Sequence, residues 1–369
     1  MKMAKGKRFL VLTTDAFGGY GGIALYNRDL LSALCSFPGC SEVVAVPRSI
    51  PGPLEEERPN NLAYVKTGLH GKAKYVMAVL KVLRENSDFE FIVCGHINLL
   101  PIAYLVRAWL RKPVFLFVYG IDVWQPSKRK LINKLVKNTT HIVSISETTK
   151  GRFTEWTKLD DKKVSIIPNA IHMENYGVAV KNSRLISQYG LNDKTVLMTL
   201  GRLSADERYK GFDAIIELLP ELIQEIPGIV YMVIGSGDDR ERLEKKAMSL
   251  GVGAHVVFTG FVSELEKPDY YRLADAYVMP SYGEGFGFVF LEALACGIPV
   301  VASKIDGGRE AVRHGKLGAL VDPHDAEDIK KGILKALKQQ KMIPEDLEYF
   351  SYSNFEQRVH RLVAEFVKD

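Results

Sequence analysis

Cysteine is scarce in this chain. Cys35, Cys40, Cys94 and Cys296 form no CxxC pair and have no histidine at zinc spacing. That excludes a disulfide framework and a zinc module, and leaves buried, reduced thiols in a cytosolic protein. Long apolar runs are also missing: none reaches the ~18 residues needed to cross a bilayer. The start, MKMAKGKRFLVLTTD, is basic and then apolar like a signal peptide. Its apolar run stops at Leu12, ahead of Thr13, Thr14 and Asp15, so it reads as a first β-strand. No D-x-D metal motif stands in a plausible loop, and no short-period repeat or low-complexity tract is visible. Acid is nearly absent from one stretch. Between Glu90 and Glu147 only Asp122 is acidic, against Arg107, Arg111, Lys112, Lys128, Arg129, Lys130, Lys134 and Lys137.

What is present is an ordinary globular composition, 47% hydrophobic and 25% charged over 369 residues, too long for one small core and suited to two domains. Residues 1–176 carry 25 Lys and Arg against 15 Asp and Glu, a net of +10; residues 177–369 carry 24 against 29, a net of −5. The basic half suggests an anionic partner. Strands are expected at 8–14, 42–47, 62–66, 90–94, 114–119, 141–146 and 164–167, with a glycine loop at 18–22 and an amphipathic helix over 23–35. Runs such as FIVC and VFLFVY need cover on both faces of a parallel sheet. After a polar linker around 168–190 the rhythm restarts. Strands are expected at 195–200, 229–234, 255–259, 276–280 and 299–303, helices at 211–225, 238–250 and 288–296, and a last helix over 354–367. The fold class is α/β: two Rossmann-like doubly wound units, 1–176 and 177–350, with a cleft between them. A C-terminal helix within 351–369 is expected to pack back on the first.

The chain is organised around residues 279–303. A strand end passes through a glycine-rich turn, residues 282–287, into a short helix that stops at Gly297 ahead of Pro299. Glu284 in the turn and Glu292 on the helix are eight residues apart, about 12 Å at helical rise, roughly a nucleotide-sugar from ribose to hexose. The helix N-terminus between them suits a diphosphate, and a carboxylate at each end suits sugar hydroxyls. Gly201-Arg202 ends the first strand of the second domain and Lys210-Gly211 opens the next helix, so both cations lie over the sheet edge where such folds bind ligands. Such a clamp stabilises a leaving diphosphate as its charge develops. Gly21-Gly22, after the first strand, has the context of a phosphate-approach loop. Gly235-Ser236-Gly237 lacks the third glycine of the dinucleotide fingerprint, Arg240 standing there, which counts against a nicotinamide enzyme. Each residue taken singly also fits a solvated loop or a tight turn; the weight lies in their coincidence.

These motifs, with Thr259-Gly260-Phe261-Val262 and EGFGFVFLEALACGIPVVAS, resemble over nearly the whole chain the retaining glycosyltransferases of family 4 (glycosyl transferases group 1, GT-B fold). The resemblance implies a catalytic set of Arg202, Lys210 and Glu284. Arg202 and Lys210 would bind the diphosphate, Glu292 the ribose hydroxyls and Glu284 the hydroxyls of the donor hexose. The backbone of Gly285, Phe286, Gly287 and Phe288 would meet the sugar and phosphates. Gly201 would stand at the cation clamp, Gly21 and Gly22 near the diphosphate from the other domain, and Gly235, Ser236 and Val262 beside the base. The family's HG motif after the fifth strand is Tyr119-Gly120 here, followed by Asp122. A phenol donates a hydrogen bond but does not carry protons at neutral pH. Tyr119, Asp122 and His96 therefore stand as contacts to donor sugar or acceptor. No cofactor and no metal are expected, since the two cations supply the charge. The nucleotide-sugar is a substrate, with UDP-hexose favoured on family frequency, and a phosphate oxygen of the leaving group is the base for attack on the face it vacates.

The basic half suits a glycan or lipid-linked acceptor at an anionic membrane surface. Over 71–81 and 128–137 cations interleave with apolar residues at helical spacing. That pattern suits anionic lipid, at ~1 kcal/mol per cation, and equally a helix packed on its own sheet with a solvated outer face. The expectation is a cytoplasmic enzyme, peripheral on the inner face of the plasma membrane, in cell-surface polysaccharide or lipopolysaccharide synthesis. A nucleotide-sugar epimerase or phosphorylase on the same plan and a non-catalytic nucleotide-sugar-binding protein remain as alternatives. No recognised nucleic-acid module accompanies the charge, so no nucleic-acid partner is expected.

Overall fold

The computed structural model describes residues 6–54 and 57–367; the basic start at 1–5 lies outside the described residues. The chain divides into two compact units. Unit 1 runs to Ala170 and resumes at Tyr352, and unit 2 is Ile171–Ser351. The boundary thus falls a few residues ahead of 176.

Unit 1 carries β1 (Lys7–Thr13), β2 (Cys40–Pro47), β3 (Leu62–Tyr64), β4 (Phe91–Cys94), β5 (Val114–Val118), β6 (His141–Ser144) and β7 (Val164–Ile166). They form one parallel sheet in the order β3-β2-β1-β4-β5-β6-β7. In its middle Phe9 stands between Val43 and Phe91, and Leu12 between Val46 and Cys94. Both faces are apolar because both are covered. Leu10, Leu12, Val44 and Val46 share a core with Tyr75 and Val79 of α2 (Lys72–Glu85) and with Ala103 and Val106 of α3 (Leu100–Leu110). On the other face Phe9, Phe91 and Phe115 run ring to ring at 4.7 and 4.8 Å. The C-terminal helix, Tyr352–Phe366, covers that row with Phe366 and meets Tyr26 of α1 (Gly22–Cys35) through Phe355. Two further helices, α4 (Lys130–Val136) and α5 (Glu147–Thr157), belong to the unit; the Ser146 side chain caps α5 by accepting from the Thr149 N–H.

The two basic segments of the sequence form helices that each pack one face on the unit. Helix α2 buries Tyr75, Ala78, Val79, Val82 and Leu83 and leaves Lys72, Lys74 and Lys81 in solvent; α4 buries Ile132 and Val136.

Unit 2 begins inside the stretch read as a linker. The Asn182 side chain accepts from Arg184 and Leu185, and Gly190 adopts a left-handed φ of 63°, so α6 (Ser183–Tyr189) forms between them, too short to show a period in the sequence. The sheet is β8 (Thr195–Leu200), β9 (Ile229–Ile234), β10 (Val256–Gly260), β11 (Ala276–Met279), β12 (Val300–Ser303) and β13 (Ala319–Val321), ordered β10-β9-β8-β11-β12-β13 and parallel throughout. Around it lie α7 (Phe212–Glu225), α8 (Arg240–Ser249), α9 (Lys267–Leu273), α10 (Phe288–Ala295), α11 (Gly308–Ala311) and α12 (Ala326–Ala336); the C-terminal helix of unit 1 is α13. The further elements missed in the sequence, α9, α11, β13 and α12, are short or half-exposed. Among the described residues no helix is long and apolar enough to cross a membrane.

Candidate functional site

The strand order of unit 2 reverses between β8 and β11: β9 and β10 lie to one side, β12 and β13 to the other. At such a point the chain leaves neighbouring strands in opposite directions, and a crevice opens at their carboxyl ends. The segments flanking it are residues 201–211 after β8 and 280–287 after β11.

The first segment is strapped to the turn after β9. The Gly201 N–H donates to Ile234 O (2.9 Å), Leu203 N–H to Ser236 O (3.0 Å) and Asp239 N–H to Leu203 O (2.8 Å). A Cβ on Gly235, which has φ 138°, would stand 1.9 Å from Gly201 O. The Gly235-Ser236-Gly237 turn is thus required by this backbone approach. Val262, just past β10, is buried.

The second segment is pinned by Asp306, a fully buried residue just past β12. Its Oδ2 accepts from the Ser281 hydroxyl (2.7 Å) and the Glu284 N–H (2.9 Å), and its Oδ1 accepts from the Gly308 N–H (2.9 Å). Burial pushes its carboxyl up to about 6 against the pull of these donors. Gly307 adds an N–H to Glu284 O at 2.9 Å. Asp306 escaped the sequence reading; its only signal was a carboxylate at a strand's carboxyl end followed by two glycines.

Lys210 bridges the two segments. Its Nζ lies 3.4 Å from Glu284 Oε2 and 3.5 Å from Glu207 Oε2, and its side chain is only 14% exposed. Burial works against the ammonium, but Glu284, then Tyr209 and Glu207, outweigh it and raise its pKa. Arg202, largely in solvent, pairs with Glu207. Three predicted residues, Arg202, Lys210 and Glu284, are therefore linked in one charge chain through Lys210 and a fourth residue, Glu207, that was not predicted. Beside them Gly287 (φ 94°) starts α10 with no side-chain cap and no acid in its first turn, leaving helix N–H groups for an anion. Phe286 buries its ring against Phe350, so only its backbone faces this turn; Gly285 donates its N–H to Glu284 Oε1 (3.2 Å). Phe288 opens the helix. The arrangement offers a phosphorylated ligand two cations and free N–H groups, with a carboxylate for hydroxyls alongside.

Glu292 sits differently. It is 2% exposed, and its carboxylate accepts from Tyr271 (2.6 Å), Lys267 (3.1 Å) and Tyr176 (3.1 Å). Burial first, then Glu292, raises the Tyr176 and Tyr271 hydroxyls, while Glu292 and Glu264 hold Lys267 protonated against burial. Three donors from its own unit leave about one lone-pair direction free. Only 288–292 of the interval between the two glutamates is helical, so helical rise alone does not set their spacing.

The remaining predicted residues lie in unit 1, whose strand order reverses between β1 and β4. Gly21 (φ 82°) and Gly22 start α1. Tyr119 is buried and donates its hydroxyl to Asn27 Oδ1 (2.7 Å), and burial lifts its pKa well above the phenol range, so it keeps its proton at neutral pH and relays none. His96 Nδ1 accepts from the Asn98 N–H (3.0 Å), and Nε2 faces Asp122 Oδ2 at 3.9 Å. That oxygen is buried with no hydrogen-bond partner among the described residues, and burial pushes the Asp122 carboxyl up to about 7. Burial and Arg48 lower His96.

Comparison with known proteins gives the family and the fold. The family model for glycosyl transferases group 1 matches residues 182–355, and that for glycosyltransferase family 4 matches 20–175. A GDP-mannose-dependent alpha-(1-6)-phosphatidylinositol monomannoside mannosyltransferase of Mycolicibacterium smegmatis is 39% identical over 158 residues, 41% of each chain. A phosphatidyl-myo-inositol mannosyltransferase of Mycobacterium tuberculosis is 36% identical over 169 residues, 46% of this chain and 42% of that one. The match spans about half or less of these relatives. In fold, the chain is similar to HepE of Anabaena, solved with UDP (TM-score 0.78, 19% identity, 97% of this chain and 100% of that one). It is equally similar to sucrose-phosphate synthase of Thermosynechococcus elongatus (TM-score 0.79, 19% identity, 97% and 98%). With two doubly wound units and both family models in register, the chain belongs to the glycosyl transferases group 1, family 4, of GT-B fold.

Proposed function

We propose that this chain transfers a hexose from a nucleoside-diphosphate sugar to a hydroxyl of a glycan or lipid-linked acceptor, retaining the anomeric configuration and without a metal. The observation that carries the proposal is the Lys210–Glu284 pair across the switch point of unit 2, beside Arg202 and the uncapped start of α10. As the glycosidic bond breaks, charge builds on the diphosphate; a buried lysine and helix N–H groups meet it without reorganising. Arg202 exchanges Glu207 for a phosphate oxygen, a charge-assisted bond of about 1.5–3 kcal/mol. Glu284 accepts from hexose hydroxyls. The acceptor hydroxyl attacks from the side the diphosphate leaves and gives its proton to a phosphate oxygen. The spare lone pair of Glu292 is the place for a ribose hydroxyl.

Relatives named as GDP-mannose-dependent put GDP-mannose ahead of UDP-hexoses as donor. Their names also favour a lipid-linked acceptor, and the basic charge of the first half of the chain suits an anionic, cytoplasm-facing membrane as the place where it is met. A panel of GDP- and UDP-sugars tested for protection against thermal unfolding is expected to single out one donor. At a hundred times Kd it adds about 2.7 kcal/mol, and Lys210→Ala abolishes the shift. If no nucleotide-sugar moves the melting curve, the proposal fails.

A further inference from the structure

A carboxylate offers about four lone-pair directions, two on each oxygen. On Glu292 both directions of Oε1 are taken, by the Tyr176 hydroxyl and the Lys267 ammonium, each at 3.1 Å. Oε2 has one taken, by the Tyr271 hydroxyl at 2.6 Å. The ribose of a nucleoside diphosphate brings two neighbouring hydroxyls, and a carboxylate meets such a pair with one on each oxygen. Oε2 has room for the first, but Oε1 has none for the second. We propose that the Tyr176 hydroxyl stands in for the second ribose hydroxyl, holding Oε1 until nucleotide binds and then giving it up. Tyr176 thereby sets how strongly the chain distinguishes a ribonucleotide from one that lacks the diol. The inference rests on the reading of Glu292 as the ribose carboxylate.

Of the three donors, Tyr176 is the one that leaves at least cost. Tyr271 lies on α9 with no exposure, its ring 5.9 Å from that of Tyr277. Lys267 opens α9, is buried, and is held also by Glu264 at 2.8 Å. Withdrawing that ammonium would leave Glu292 a buried charge without its counter-ion. Tyr176 is neutral and half-buried, and it stands outside regular structure between the turn Met173–Asn175 and α6. Its backbone is pinned just past it. Gly177 donates its N–H to Ala295 O (3.0 Å) at the end of α10 and accepts from Arg272 Nε (3.0 Å). Val178 packs on bare Gly297, where a Cβ would stand 2.6 Å from its Cγ2. Rotation about the Tyr176 side-chain bonds therefore takes the hydroxyl off Glu292 with the chain left in place. Until then the phenol satisfies a buried carboxylate oxygen, which would otherwise lack a partner.

Calorimetry on the full chain, wild type and Tyr176→Phe, measures the binding of GDP and of its 2′,3′-dideoxy analogue, with the UDP pair in parallel. Phenylalanine keeps the ring and removes the competing hydroxyl. The ribonucleotide is expected to bind the variant roughly threefold to tenfold more tightly than wild type, the range one net hydrogen bond spans. The dideoxynucleotide is expected to bind both proteins alike, so the ratio between the two widens. A ring that served only for packing would move both nucleotides by the same factor. A second measurement needs no variant. A phenol released from a carboxylate ionises more easily, so tetranitromethane is expected to nitrate Tyr176 of the wild type faster with the ribonucleotide than without, and no faster with the dideoxy analogue; peptide mass spectrometry reads the site. Failure of both ribonucleotides to bind would remove the nucleotide-sugar reading and this inference with it. Binding with an unchanged ratio in Tyr176→Phe, a weaker ribonucleotide complex in that variant, or nitration no faster with the ribonucleotide would overturn this inference alone.

Discussion

Lys210 keeps its charge where burial works against it, because Glu284 and Glu207 stand on either side. Removing the ammonium leaves those two carboxylates facing each other, and removing Glu284 leaves the ammonium half-paired. Lys210→Ala is expected to lower transferase activity by at least a hundredfold, and Glu284→Gln by a similar factor, with melting temperatures within a few degrees of wild type; circular dichroism melts alongside a donor-turnover assay check both. Glu292 carries the opposite signature. Glu292→Ala leaves Lys267 with Glu264 as its one carboxylate and takes the acceptor from the buried Tyr176 and Tyr271 hydroxyls, together a change worth about 3–5 kcal/mol. A melting point lowered on the order of 10 °C is expected before any donor is added. Asp122 allows a sign to be worked out. Its folded pKa, pushed up to about 7, lies above the unfolded value near 3.8. The stability that goes with its protonated form is complete below pH 4 and is lost as pH rises through 7. Asp122→Asn should therefore flatten the fall in melting temperature between pH 4 and 8; an unchanged profile would show that the carboxyl is not buried as described.

At the scale of elements, the turn before α10 depends on glycine for geometric reasons. A Cβ on Gly287 would stand 2.6 Å from the Phe290 ring at a φ of 94°, and one on Gly307 would stand 2.1 Å from Gly285 O. Gly287→Ala is expected to cost about 1–3 kcal/mol and to weaken donor binding through the displaced helix start. Chemical denaturation and the donor-induced melting shift measure the two effects separately. Asp306 serves the same turn as a positioning residue. Asp306→Asn turns one acceptor into a donor facing the Ser281 hydroxyl and Glu284 N–H, so turnover is expected to fall more than stability.

At the scale of the whole molecule, unit 1 is discontinuous and closed by α13, which buries Phe355, Val359, Leu362 and Val363. At ~1.5–3 kcal/mol for each such side chain, deleting residues from 352 onward exceeds what a domain can lose. Calorimetry of that truncation should show the unit 1 transition gone while unit 2, a single continuous segment, still melts cooperatively.

The repeating βα rhythm, the two units and the family motifs were legible along the chain because apolar period and glycine–proline punctuation are set by near neighbours. So were Arg202, Lys210 and Glu284, which fall just past strands whose carboxyl ends must line one edge. Glu207 between the cations, Asp306 beneath the turn and the three donors that enclose Glu292 were not legible. Each depends on side chains brought together across the sheet by its strand order, and a single sequence carries no mark of which distant groups share one small volume. Local chemistry determined which residues bear charge, and tertiary packing alone decided which of those charges meet.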